Sequence, residues 1–145
     1  MEIKFNINQV DEIIKKYLIP ALKDYKIFTF TGPLGAGKTT LIKSFLYNCG
    51  VEQNITSPTF NYVNTYKNNK GQIFNHFDLY RIDSVDDFLA TGFDEFLYRS
   101  NEYNLIEWPS VINSLLNDKS VKEKVFSIVL KYVDNDPELR IIKIN

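Results

Sequence analysis

Apolar and polar positions alternate over residues 3–7, with Ile3, Phe5 and Ile7 separated by Lys4 and Asn6, which predicts a short strand. The period then lengthens. Val10, Ile13, Ile14 and Tyr17 share one helical face, with Asn8 as the N-cap and Pro20 as the break, after which Ala21 and Leu22 restart the helix. Residues 26–31 read as a strand, and residues 40–46 as a helix that ends at Gly50 as its C-cap. Two strand-like runs, 60–67 and 73–80, flank Asn68-Asn69-Lys70-Gly71, a hairpin turn. In the second run Phe74, His76, Asp78 and Tyr80 fall on one face and Ile73, Asn75, Phe77 and Leu79 on the other. A carboxylate and an imidazole therefore share a face.

Ser84-Val85-Asp86-Asp87 predicts a capped short helix to Ala90, closed by Gly92, and residues 94–98 predict a second. The apolar run 103–107 is a strand that delivers Glu107 at its C-terminal end. Pro109 then opens a helix with Val111, Ile112, Leu115 and Leu116 on its buried face. Residues 124–133 and 139–144 predict an antiparallel hairpin. The whole reads as one three-layer α/β domain over residues 1–145, with a mixed, partly parallel sheet and helices on both faces. Ligands of such sheets lie at the carboxyl ends of the parallel strands, where Thr31 and Glu107 fall.

Composition narrows the function. The chain has 145 residues, enough for a proper core, and its 17 basic and 18 acidic residues leave a net charge of −1. No basic tail or patch marks nucleic-acid binding by charge, so DNA is not expected as a partner, and any RNA connection would have to run through another protein. The single cysteine, Cys49, excludes a disulfide framework and suits the cytoplasm. No signal-peptide core and no apolar run of membrane-spanning length is present, so no membrane role is expected.

The strongest chemistry lies in Gly32-Pro33-Leu34-Gly35-Ala36-Gly37-Lys38-Thr39-Thr40. Gly32, Gly37, Lys38 and Thr39 satisfy G-x-x-x-x-G-K-[ST], the phosphate-binding loop, here between a strand and a helix. Backbone N–H groups must curl around a polyphosphate, and glycine permits that curl. Lys38 would reach the β and γ phosphates, and the Thr39 hydroxyl would ligate Mg²⁺, a hard cation that prefers oxygen. The helix N-terminus adds to the anion site.

A nucleotide loop also needs a metal-side carboxylate. Glu107 and Asp78 are the two candidates, each set against the ordinary fate of a solvated strand-end charge. His76 reads as a structural histidine, Trp108 as a packing residue at the strand exit, and Arg81 as the partner of an acidic neighbour. Strand alternation points Arg81 away from Asp78, unless the strand ends first. A small GTPase would need Asp-x-x-Gly and Asn-Lys-x-Asp, and neither string occurs. A nucleotide kinase would need an arginine-rich lid, whereas this chain has only Arg81, Arg99 and Arg140.

The loop, Ser57-Pro58-Thr59-Phe60, His76-Phe77-Asp78-Leu79-Tyr80-Arg81 and Ile106-Glu107-Trp108-Pro109 together resemble the bacterial TsaE (YjeE) family, the ATPase component of tRNA threonylcarbamoyladenosine synthesis. The four segments occur in the family's order and span about residues 30–110. The resemblance implies a P-loop NTPase-like domain that binds ATP and Mg²⁺ and docks onto the TsaD–TsaB pair, which transfers the threonylcarbamoyl group to tRNA adenosine. Carried onto this chain, it implies phosphate contacts from Gly32 and from Gly35, Ala36, Gly37, Lys38, Thr39 and Thr40. Thr39 and Glu107 would hold Mg²⁺, Asp78 would orient water or the metal shell, and Thr59 would lie near the γ-phosphate. Lys38, Asp78 and Glu107 are then the catalytic set. Ser110 stands where family members often carry an acid or amide. Two readings remain at this point: an ATPase that drives a partner's tRNA-modification cycle, and a binding module in which ATP orders a docking surface and turnover is incidental.

Overall fold

The computed structural model describes residues 1–58 and 60–145. Seven strands form one sheet in the order β1-β7-β6-β2-β5-β4-β3: β1 (Glu2–Asn6), β2 (Ile27–Thr31), β3 (Val63–Lys67), β4 (Ile73–Asp78), β5 (Glu102–Glu107), β6 (Val125–Val133) and β7 (Asp136–Ile144). The four central strands, β6-β2-β5-β4, run parallel, and the flanking pairs β3/β4, β6/β7 and β7/β1 run antiparallel. Ile27, Phe28, Thr29 and Phe30 of β2 are all buried, the continuous burial that a central parallel strand covered on both faces requires.

The helices are α1 (Val10–Ile13), α2 (Lys38–Asn48), α3 (Val85–Ala90), α4 (Asn113–Leu116) and α5 (Lys119–Lys122). The alternating side chains of each strand feed two cores. Phe28, Phe30, Phe74 and Leu105 pack with Leu41, Ile42 and Phe45 of α2. Ile27, Phe77 and Ile106 pack on the opposite face with Phe88, Leu97 and Leu116. The three-layer α/β architecture, with its mixed, partly parallel sheet, follows directly from this two-sided burial.

Local chemistry moves several boundaries. The first strand spans Glu2–Asn6 rather than 3–7, and Asn6, not Asn8, is the cap. The Asn6 side chain accepts the Asn8 N–H while the Gln9 side chain accepts the Asn6 N–H, a reciprocal box that turns the chain early. Residues 14–18 widen into a π-turn with Ile19 N–H bonded to Ile14 C=O at 2.9 Å, just ahead of Pro20, whose ring and missing N–H a regular turn would not accept. β3 begins at Val63, not 60, because Tyr62 takes a left-handed conformation (φ 61°). The helix expected after Pro109 is divided into a 3₁₀ turn (Pro109–Ile112), α4 and α5, the last capped by Asp118.

Candidate active site

β2 ends at Thr31 and the chain turns through residues 32–37 into α2. Gly35 (φ 76°) and Gly37 (φ 104°) adopt backbone conformations that a side chain would strain. Gly32 is required for a different reason: a Cβ there would stand 2.8 Å from the Leu130 carbonyl oxygen. The loop's carbonyls are engaged from behind. The Lys38 ammonium donates to the Gly32 and Pro33 carbonyls, the Ala36 N–H to Pro33 and the Leu41 N–H to Gly37. The first N–H groups of α2 have no intrahelical partner, so the loop concavity and the helix start form one anion-facing surface.

Glu107 closes the other side. As the last residue of β5 it sits in register with Phe30 of β2 and Asp78 of β4. It is 3 % exposed, and both oxygens are taken: Oε1 accepts from Thr39 Oγ at 3.0 Å, and Oε2 lies 2.7 Å from His76 Nε2. His76 is fully buried, and with its proton on Nε2 the ring serves Glu107 directly. Its Nδ1 has no partner among the described residues. The register explains the pairing: His76 precedes Asp78 by two, so both share the face on which Glu107 projects.

Trp108, next in sequence, is forced into the left-handed region (φ 57°) by the reversal from β5 into Pro109. That turn brings its indole under the Lys38 ammonium, 4.1 Å from the ring centroid, with the Tyr80 ring 4.9 Å away. Burial lowers the pKa of Lys38, opposed by the nearby charges of Glu107 and Asp78. Burial likewise raises that of Asp78, with the like charge of Glu107 adding to it; the Tyr80 N–H, His76 and Lys38 act the other way.

Gly35, Gly37, Lys38, Thr39, Thr40, Asp78 and Glu107 thus line one cleft of about 290 Å³, with Leu34, Tyr80 and Trp108 completing it. Gly32 stands behind the loop against β6, and Ala36 is buried with its methyl group in the core. Thr59 lies outside the described residues. Arg81 departs from the strand-alternation expectation. β4 ends at Asp78 because its carboxylate captures the Tyr80 N–H in a tight turn. Arg81 therefore lines a smaller cleft of about 140 Å³ together with Asp78, Ser57 and Tyr62. Two participants escaped the sequence reading: His76 as the direct partner of Glu107, and Trp108 as the floor beneath Lys38. The pattern of period-two positions in β4 held a signal for the first. Nothing in the residue string signalled the second.

Residues 6–137 match the family model described as "Threonylcarbamoyl adenosine biosynthesis protein TsaE". The chain is similar to the tRNA threonylcarbamoyladenosine biosynthesis protein TsaE of Rickettsia conorii, at 33% identity over 94% of this chain and 82% of that protein. It is similar to the protein of the same name from Borreliella burgdorferi, at 36% identity over 83% of this chain and 81% of that one. Among solved structures it resembles Bacillus subtilis YdiB, with a TM-score of 0.57 and 25% identity, covering 98% of this chain and 83% of that one.

Proposed function

The chain belongs to the TsaE family, and from that premise we propose that it binds ATP with Mg²⁺ at residues 32–40 and hydrolyses it in support of threonylcarbamoyl transfer to tRNA adenosine by the TsaD–TsaB pair. The observation that carries this reading is the 3.0 Å contact between Thr39 Oγ and Glu107 Oε1 at the mouth of the loop. A hydroxyl and a carboxylate side by side are the hard oxygen donors that Mg²⁺ selects, and they stand beside a backbone concavity suited to phosphate.

Each residue's part follows from its place. Gly35 and Gly37 admit the phosphates to the backbone N–H groups, and Lys38 meets the terminal phosphates as a partly desolvated point charge. Thr39 and Glu107 would hold Mg²⁺, which when bound neutralises charge on the β and γ phosphates. His76 holds Glu107 in orientation from beneath. Asp78 reaches the same cleft from the neighbouring strand, and its raised pKa makes it the better proton acceptor for an attacking water. The Ser57–Arg81 cleft adjoins Asp78 and is the side from which a partner would complete the site. In related phosphate-loop enzymes an arginine delivered to the transition state contributes roughly 10³–10⁵ in rate.

Steady-state phosphate release by the purified chain, alone and with the TsaD–TsaB pair, tests the proposal. Slow release that the pair accelerates supports it. Nucleotide binding with no release under either condition would favour the docking-module reading. A fast rate indifferent to the pair would point to a self-sufficient ATPase.

A further inference from the structure

Resting on the reading that residues 32–40 bind phosphate, we propose that Tyr132 and Arg140 are positioning residues of the loop: their side chains fix the two peptide planes that aim the Gly35 and Gly37 N–H groups. Neither residue belongs to the motif, and both come from the far hairpin, β6–β7, where they face each other in register.

The geometry is specific. The Tyr132 hydroxyl donates to the Leu34 carbonyl at 2.5 Å, and Arg140 Nε donates to the Ala36 carbonyl at 3.1 Å. In a trans peptide the C=O and the following N–H point in opposite directions. Holding the Leu34 carbonyl outward therefore turns the Gly35 N–H inward, and holding Ala36 does the same for Gly37. These two glycines, with φ of 76° and 104°, are where the backbone is least constrained by its own side chains. The anchors supply the restraint that glycine lacks.

The two anchors are built as a unit. The Arg140 guanidinium lies 4.8 Å from the Tyr132 ring centroid, and its NH1 is occupied by the Pro137 and Leu139 carbonyls. This leaves Nε committed to Ala36. The ladder shifts register between Tyr132 and Val133, an irregularity of the kind that re-aims a side chain. Gly35 also fits the arrangement by its size: a Cβ there would stand 2.8 Å from the Tyr132 hydroxyl.

The test uses Tyr132→Phe, which removes only the hydroxyl, and Arg140→Met, which keeps length without donors. Amide ¹H–¹⁵N shifts are read in the chain without nucleotide, and affinities are read for Mg-ADP and for tripolyphosphate, a probe without a base. The expected result is that Tyr132→Phe moves the Gly35 amide and Arg140→Met the Gly37 amide. Each weakens both ligands about three- to tenfold, the scale of one hydrogen bond, with both variants still folded at the assay temperature. Unmoved glycine amides, or native affinity for both ligands in both variants, would overturn the proposal. Amide shifts spread through β6 and β7 with the two glycines no more affected than the rest would also overturn it, as a general packing role. If the native chain binds neither ligand, the phosphate reading fails on its own, and the amide shifts still decide whether the two side chains set the loop.

Discussion

The Thr39 hydroxyl donates to Oε1 of Glu107 across 3.0 Å, tying the first turn of α2 to the end of β5 over 68 residues of sequence. Glu107→Gln keeps the shape but replaces a carboxylate oxygen with an amide, a poorer ligand for a hard cation. The expected outcome is a Mg²⁺ requirement raised by about tenfold or more, with nucleotide affinity in the absence of Mg²⁺ little changed. A magnesium titration of phosphate release, with the partner proteins present, checks it.

Asp78 has a higher pKa in the fold than in the unfolded chain, chiefly through burial. Its stabilising contribution is present below the unfolded value near 3.8 and is lost as pH rises through the higher folded value. Asp78→Asn is therefore expected to raise the melting temperature of the nucleotide-free chain at neutral pH, an advantage that disappears in acid. The same variant is expected to bind ATP normally and to hydrolyse it about 10²–10⁴-fold more slowly, the usual contribution of a positioned base. Melting curves at two pH values and single-turnover hydrolysis measure both halves.

Lys38→Ala removes a charged donor that touches the loop's own carbonyls and the Trp108 face. Charge-assisted contacts of this kind contribute about 1.5–3 kcal/mol, so ATP affinity is expected to fall by roughly 10- to 100-fold. Calorimetry on the folded variant reads the loss directly. An unchanged affinity would remove Lys38 from the site.

His76→Leu preserves bulk while depriving Glu107 Oε2 of its partner. Glu107 is 3 % exposed, so the change strands part of a buried charge. A destabilisation of about 1–3 kcal/mol is expected from leaving a buried acceptor without its donor, and denaturant melts report it. The double variant His76→Leu with Glu107→Gln is expected to recover part of that loss.

Burial pushes the Cys49 thiol up to about 12, from a reference of 9.0. At mildly alkaline pH the thiolate fraction is then about a thousandfold below that of an ordinary cysteine. Iodoacetamide is expected to label the denatured chain rapidly and the native chain much more slowly.

The loop was legible in the residue string because its requirements are local: glycine where φ is positive or space is short, then lysine and threonine at the helix start. Glu107 was legible for a related reason, as a carboxylate delivered by a short apolar strand. The His76–Glu107 contact was not, because it depends on how β4 registers against β5, and register is a long-range choice. β4 ends at Asp78, two residues before the alternation predicts. Hydrophobic alternation continues through Tyr80, but the Asp78 side chain captures the Tyr80 N–H and turns the chain there. Trp108 looked like packing because no residue type announces a left-handed tryptophan. Tyr132 and Arg140 lie about a hundred residues from the carbonyls they hold, 98 and 104 respectively, beyond the reach of any local pattern.

The strand that carries the loop is flanked in the sheet only by β5 and β6, which begin at residues 102 and 125. On a ribosome, β2 emerges long before either neighbour exists. Its backbone N–H and C=O groups have no ladder partner on either edge until those strands are made, and closing such long loops is slow. The glycine-rich loop can therefore take up its full set of contacts only once β6 and β7 have been made, with Tyr132 and Arg140. A nascent chain is therefore expected to expose the unpaired apolar segment Ile27–Thr31, the kind of edge that invites aggregation until its partner strands arrive.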